Sequence, residues 1–211
     1  MDDIRTRNRR YEARRKPVQD RSRASVDAIL AAAAQVFDAE GYAEATTDRI
    51  AERAGVSVGT LYQYFPSKDA LLVALFELHL DEAEAAFEAL ESEMTDDARV
   101  ADLAGEMVER LFGLHRQNPG LHRILLEEAP LPQRVLARYS GLEQALREAW
   151  AGWLEGRVDD PAEVALLVMA IVESLAHRFT LFPVPAGHSA ATLEAATVDV
   201  IVAYVQRPSL P

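Results

Sequence analysis

The chain has 211 residues, with 22 Lys and Arg against 34 Asp and Glu, a formal net charge of −12. It has no Cys, which excludes disulfides, thiolate metal sites and cysteine nucleophiles. Its longest strictly apolar run towards the C-terminus, Val164–Val172, is far shorter than the roughly 18–20 residues of a membrane span.

The total charge hides a split. Residues 1–25 carry nine basic and four acidic groups, a net of +5. Residues 26–70 add three basic and seven acidic groups, and the remaining 141 residues hold ten basic and 23 acidic ones. Only the first third of the chain is suited to nucleic acid or an anionic surface. The arginine-rich start lacks the apolar stretch of a secretory signal. A soluble, cytoplasmic protein with no membrane partner is expected.

Residues 1–20 have almost no apolar periodicity and read as a basic arm, disordered or loosely helical. From Ser25 the pattern changes. Val26, Ile29, Leu30, Ala33, Val36 and Phe37 recur at three- and four-residue intervals, the mark of an amphipathic helix. Gly41 is placed to end it. Thr46 or Thr47 offers a cap to a short helix ending at Gly55, and a second short helix follows from Ser57 to Tyr64. Ser67 can cap a long helix through about Glu91. Beyond the polar break at Met94–Ala98 come helices at Ala101–Arg116, Leu121–Ala129, Gln133–Glu155, Pro161–Phe182 and Ser189–Gln206. Asp160 caps the fourth of these, with Pro161 at its first position. The expected fold is all-α, about nine helices with no strand. Its parts are an arm at 1–20, a helix-turn-helix domain at 21–66, a connecting helix at 67–92 and a C-terminal domain at 93–211.

The informative stretch is Thr47–Tyr64, TDRIAERAGVSVGTLYQY. Two short helices around Gly55-Val56-Ser57 match a helix-turn-helix. Ala51 is small enough for close helix approach, and Gly55 can take positive φ at the turn. Ile50 and Leu61 point inward, and Phe65 continues the buried face. Ser57 can cap the second helix. The residues left facing outward are Val58, Gly59, Thr60, Gln63 and Tyr64, with Tyr62 on the flank. Gly59 allows backbone approach, and Thr60 and Gln63 can reach base edges. Tyr62 and Tyr64 can bond phosphates. Lys68 opposes the helix dipole where it stands, which points to a phosphate held by the lysine and the helix amides.

This segment resembles the TetR (tetracycline-repressor-like) family of bacterial transcriptional regulators. The resemblance rests on Ile29–Ala33 with Phe37 and Gly41, Thr46-Thr47, Ile50-Ala51, Ala54-Gly55-Val56-Ser57, Gly59-Thr60-Leu61-Tyr62, Tyr64-Phe65 and Lys68-Asp69-Ala70-Leu71. It covers about residues 22–75. It implies a dimer, a three-helix DNA-binding domain and a six-helix domain for a small effector. The residues expected at DNA are Thr46, Thr47, Ser57, Val58, Gly59, Thr60, Tyr62, Gln63, Tyr64 and Lys68. Val58 departs from many members, being apolar where a polar or basic side chain could touch DNA. That shifts readout towards a thymine methyl.

In the C-terminal part, Val164–Val172 is apolar on every face of a helix, as is much of the last helix. Two such helices in a chain this small suggest burial against a second subunit, by Val164, Val168, Ile171, Leu175, Val198, Ile201 and Val205. The resemblance favours a two-fold four-helix interface. Candidate effector contacts are Met107, Leu111, His115, Leu125, Trp150, Met169 and Glu173. Glu173 stands out as a carboxylate in an apolar helix, with Arg178, His177 or a ligand cation as partner. His122 beside Glu127 or Glu128 is the best pairing for a metal on paper, but none of the five His has tight metal-ligand spacing. No metal, no cofactor and no catalytic residue is expected. The reading is a homodimeric repressor released from a palindromic operator by a small effector. The alternatives are a small-molecule-binding or catalytic helical protein whose helix-turn-helix does not read DNA, and a non-specific DNA binder. Because residues 26–70 are themselves net acidic, the arm should supply most of the attraction for a polyanion.

Overall fold

The computed structural model describes residues 20–117, 119–126 and 131–207. The basic arm up to residue 19, Glu127 and Glu128 lie outside them, as does the side chain of Leu125. Among the described residues there are nine helices and no strand: α1 (Asp20–Glu44), α2 (Thr47–Arg53), α3 (Val58–Tyr64), α4 (Lys68–Glu91), α5 (Val100–Gln117), α6 (Pro119–Leu126), α7 (Gln133–Leu154), α8 (Pro161–Leu181) and α9 (Ala190–Val205). These agree closely with the expected elements. The helix α6 begins two residues before the expected Leu121, at Pro119, where a missing N–H costs nothing. The path of α1 breaks at Gly41, where φ is +77°.

The chain folds as two compact units. The first contains the described residues to Leu80 together with the stretch around α6 as far as Arg138. The second holds Asp81–Gln117 and the chain from Tyr139 onward. The helices α4 and α7 each contribute residues to both units.

In the first unit the predicted stripe of α1 is the core: Ile29, Leu30, Ala33, Val36 and Phe37 are buried. Ile50, Ala51, Leu61, Phe65, Leu71 and Leu72 complete it. Against this core α6 packs at very short range. A Cβ placed on Gly120 would lie 2.6 Å from Asp38 Cα and 3.0 Å from its backbone nitrogen. Only glycine lets the two helix backbones meet there. Arg134 and Arg138 add polar contacts, to the Glu77 carboxylate at 3.2 Å and its carbonyl at 3.3 Å.

The core of the second unit is built from α5, α7, α8 and α9. Leu103, Met107 and Phe112 meet Leu146, Trp150 and Leu154, with Val164, Val168, Val172, Ile201 and Val205. Trp153 donates its indole N–H to Thr95 O at 2.9 Å. Arg157 stacks over the Trp153 ring at 4.5 Å and bonds Asp96 O at 2.8 Å. Together they tether the loop between α4 and α5.

Four of the seven residues expected at the subunit interface face inward. Val164, Val168, Ile201 and Val205 are buried in the protomer's own core, and Ile171, Leu175 and Val198 are partly buried. The apolar side chains left exposed on these helices are Leu166 (51%), Leu167 (38%) and Val200 (51%). An all-round apolar helix gives no signal of which face its own chain will take. The same composition makes α8 long and apolar enough to cross a membrane, with a mean hydropathy of 1.6 over its best window. Its packed face, from Val164 to Ala176, gives that apolar character another cause.

Gly120→Ala should lower stability by about 1–3 kcal/mol, because the clash is with backbone and cannot be relieved by a rotamer change. Urea denaturation checks this, and an unchanged midpoint would show that the helices separate at no cost.

Candidate nucleic-acid interface and a buried polar cluster

The reading head is assembled by local bonds. Thr46 has extended backbone and its Oγ1 accepts from Arg49 N at 3.3 Å, which caps α2. Gly55 turns the chain with φ +68°, and Val56 N donates to Ala51 O at 3.0 Å. Ser57 then caps α3, accepting from Thr60 N at 3.0 Å. Leu61 is buried below, so the rest of α3 has a fixed outward side.

That outward side carries Ser57, Gly59, Tyr62 and Gln63 exposed, with Val58, Thr60 and Tyr64 half-buried. A Cβ on Gly59 would meet only Ser57 Oγ, at 3.7 Å. The fold itself therefore leaves room for a side chain at this position. Its absence keeps the helix backbone open to an approaching surface. Tyr62 is 40% exposed and its hydroxyl is held 2.9 Å from Thr47 Oγ1. Tyr64 pairs with Ser22 Oγ on α1 at 3.1 Å, a contact no spacing rule foretold. Two hydroxyl pairs stand here: Thr47 with Tyr62, and Ser57 Oγ with Thr60 Oγ1 at 2.8 Å.

Lys68 is engaged within the chain. Its ammonium donates to Tyr42 O at 2.5 Å and Ala43 O at 3.1 Å, and lies 4.5 Å from the centre of the Tyr42 ring. Beside it the Tyr42 hydroxyl donates to the buried Asp69 carboxylate. Those carbonyls explain a cation at a helix N-terminus without a phosphate. Two of its three N–H donors are used. The nearby arginines are also committed: Arg49 pairs with Glu40 at 2.8 Å and Arg53 bonds Gln35 at 2.5 Å.

In the second unit the candidate effector residues divide. Met107 and Trp150 are fully buried in the closed core, whereas Leu111, Met169 and Glu173 are half-buried. The Glu173 carboxylate has a partner on another helix. The Tyr139 hydroxyl of α7 donates to it. Glu143, one turn beyond Tyr139, joins them. Burial, then the neighbouring Glu173 carboxylate, push Glu143 up to about 7, against a small opposing effect of Arg147. Burial and the Glu173 charge also push the Tyr139 phenol far above its ordinary value. Tyr139 and Glu143 were missed in the sequence. Their spacing of four on α7 puts them on one face, but nothing local said that Glu173 would meet it.

Residues 29–75 match the model for bacterial regulatory proteins of the tetR family, and residues 100–204 match that for the tetracyclin repressor-like C-terminal domain. The chain belongs to the tetR family. Among curated relatives, the HTH-type transcriptional regulator EthR of Mycolicibacterium smegmatis is 32% identical over 133 residues, 59% of this chain and 61% of that protein. The nucleoid occlusion factor SlmA of Haemophilus influenzae is 31% identical over 109 residues, 49% of each. The chain thus spans about half to three-fifths of these two relatives' length. A solved tetR-family regulatory protein from Rhodococcus RHA1 shares the fold, with a TM-score of 0.65 at 21% identity, over 88% of this chain and 98% of that one.

The carboxylate cluster has a pH consequence. Glu143's folded-state value lies above its ordinary 4.5, so the folded chain binds this proton more tightly than the unfolded chain. Its contribution to stability is complete below the ordinary value and is lost as pH rises through about 7. Glu143→Gln removes that loss. The wild-type urea midpoint should therefore fall further than the variant's between about pH 5 and pH 8. Equal falls would show that Glu143 titrates normally.

Proposed function

We propose that this chain is a DNA-binding transcriptional repressor that acts in the cytoplasm as a homodimer and releases its operator on binding a small molecule. The observation that carries the reading is the outward side of α3: a capped, rigidly seated helix presenting Ser57, Gly59, Tyr62 and Gln63, with a glycine that its own packing does not require. Membership of the tetR family supports it. Each α3 would enter a major groove of a palindromic site, with half-sites one turn, roughly 34 Å, or a longer equivalent apart. Gln63 and Thr60 would read base edges, and Val58 would meet a thymine methyl. Thr47 and Tyr62, sharing one hydrogen bond, would hold the flanking backbone. Thr46 acts by fixing the start of α2.

The effector belongs to the second unit, where Tyr139, Glu143 and Glu173 supply polar contacts among apolar side chains. Its binding must favour one of two conformations for the operator to be released. Because α4 is one continuous helix with residues in both units, a tilt of its second half is carried into the first. The second copy would pack on the exposed apolar side of α8 and α9, through Leu166, Leu167 and Val200.

Gel shifts on the gene's own upstream DNA and on unrelated DNA, at several salt concentrations, test the reading. Gln63→Ala should weaken the upstream complex about 5- to 100-fold with little effect on unrelated DNA. Equal affinity for both DNAs would make the protein a non-specific binder, and no binding to either would remove it from DNA altogether. Leu167→Arg should convert the dimer to a monomer in sedimentation with unchanged helicity. A dimer that persists in Leu167→Arg and in Val200→Arg would place the interface elsewhere.

A further inference from the structure

Two histidines of the second unit are arranged as metal ligands are. His115 lies in the last turn of α5 and is buried; His177 lies near the end of α8 and is half-buried. Their rings meet edge to face with centroids 4.5 Å apart. In each ring Nδ1 faces the carbonyl oxygen four residues earlier: His115 with Leu111 O at 2.7 Å, His177 with Glu173 O at 3.0 Å. A carbonyl can only accept, so both Nδ1 atoms carry the proton and donate it. In the neutral rings the lone pair then sits on Nε2 of each. This is the arrangement by which a backbone carbonyl orients a ligating imidazole. The ligand nitrogens of the two rings lie within 4.8 Å of each other. Tetrahedral zinc, at about 2.0–2.1 Å from each nitrogen, needs them roughly 3.4 Å apart, which small rotations of two rings supply. The ring pair Phe112 and Phe179, centroids 6.2 Å apart, stands on the same two helices, three and two residues from the histidines.

The geometry points to a site for one divalent late first-row transition metal ion, zinc or its cobalt and nickel analogues, bridging α5 and α8 through His115 and His177. Imidazole nitrogen selects these ions over calcium or magnesium. Water or a further donor completes the shell. The half-buried His177 gives the ion a way in. The inference concerns the second unit alone and does not depend on DNA binding.

Titration of the full-length, untagged protein with Zn²⁺, read by calorimetry, and with Co²⁺, read by its visible absorption, tests it. One ion per chain is expected, with Mg²⁺ failing to compete. His177→Ala should weaken binding at least ~10-fold, beyond the lower end of what loss of an orienting partner costs. His115→Gln should do the same, and the partly exposed position of His177 keeps the test valid if His115→Gln does not fold. His188→Ala, at an exposed site, should bind as wild type. No stoichiometric binding, or wild-type affinity in both His177→Ala and His115→Gln, would overturn the proposal.

Discussion

The Lys68 ammonium rests on the carbonyl oxygens of Tyr42 and Ala43, and the whole helix-turn-helix is strung between its two ends. These bonds join residues 26 and 25 positions apart. Everything between them, the end of α1, both short helices and the turn at Gly55, is held as a closed loop. Tyr42 strengthens the closure twice, giving its ring to the ammonium and its hydroxyl to Asp69. A seven-residue helix has almost no stability of its own. The helices α2 and α3 persist because this closure, the caps at Thr46 and Ser57 and the burial of Ile50, Ala51 and Leu61 act on the same short stretch. The orientation of the reading face is a consequence of that closure.

A second consequence is electrostatic. The cations nearest the reading face are spent on the fold: Lys68 on carbonyls, Arg49 on Glu40, Arg53 on Gln35. An exposed pair such as Arg49–Glu40 contributes little stability, but it does cancel a charge. With residues 26–70 net acidic, the face offers hydroxyls, an amide and helix N-termini more than net positive charge. Hydroxyls, an amide and helix N-termini are groups that bond phosphate oxygens and base edges without adding net charge. The charge order along the chain thus sets a basic N-terminal segment before a net acidic stretch that carries the helix-turn-helix.

What the sequence made legible is what local bonds determine. The caps at Thr46, Ser57 and Asp160 are all bonds to an amide three residues on, and the turn at Gly55 is set by one residue's φ. The core of α1 follows its own period. What stayed hidden depends on which face meets which partner. Val168 was expected at a subunit interface and lies in the core, because α8 is apolar all round and α5 and α9 occupy the side bearing Val164, Val168 and Val172. Lys68 was read against its helix dipole, correctly as an anomaly, but its partners lie on another helix. Tyr139 with Glu173, and His115 with His177, are each drawn from two helices, and neither pair has a signature in spacing.

Those two hidden pairs are not independent. Glu173 and His177 are one turn apart on α8, and Glu173 takes part in both pairs. Its carboxylate accepts the Tyr139 hydroxyl of α7, and its backbone carbonyl accepts the Nδ1 proton of His177, whose ring faces His115 of α5. One turn of α8 therefore links polar groups on three helices inside an otherwise apolar unit. These groups are buried or half-buried, so a charge placed on one is only partly screened from the others. A cation held by the imidazoles would favour the ionised form of Glu143, opposing the repulsion from Glu173 that raises it. The half-buried Glu143, which costs the fold stability as pH rises, would then sense whether the α5–α8 histidines are occupied.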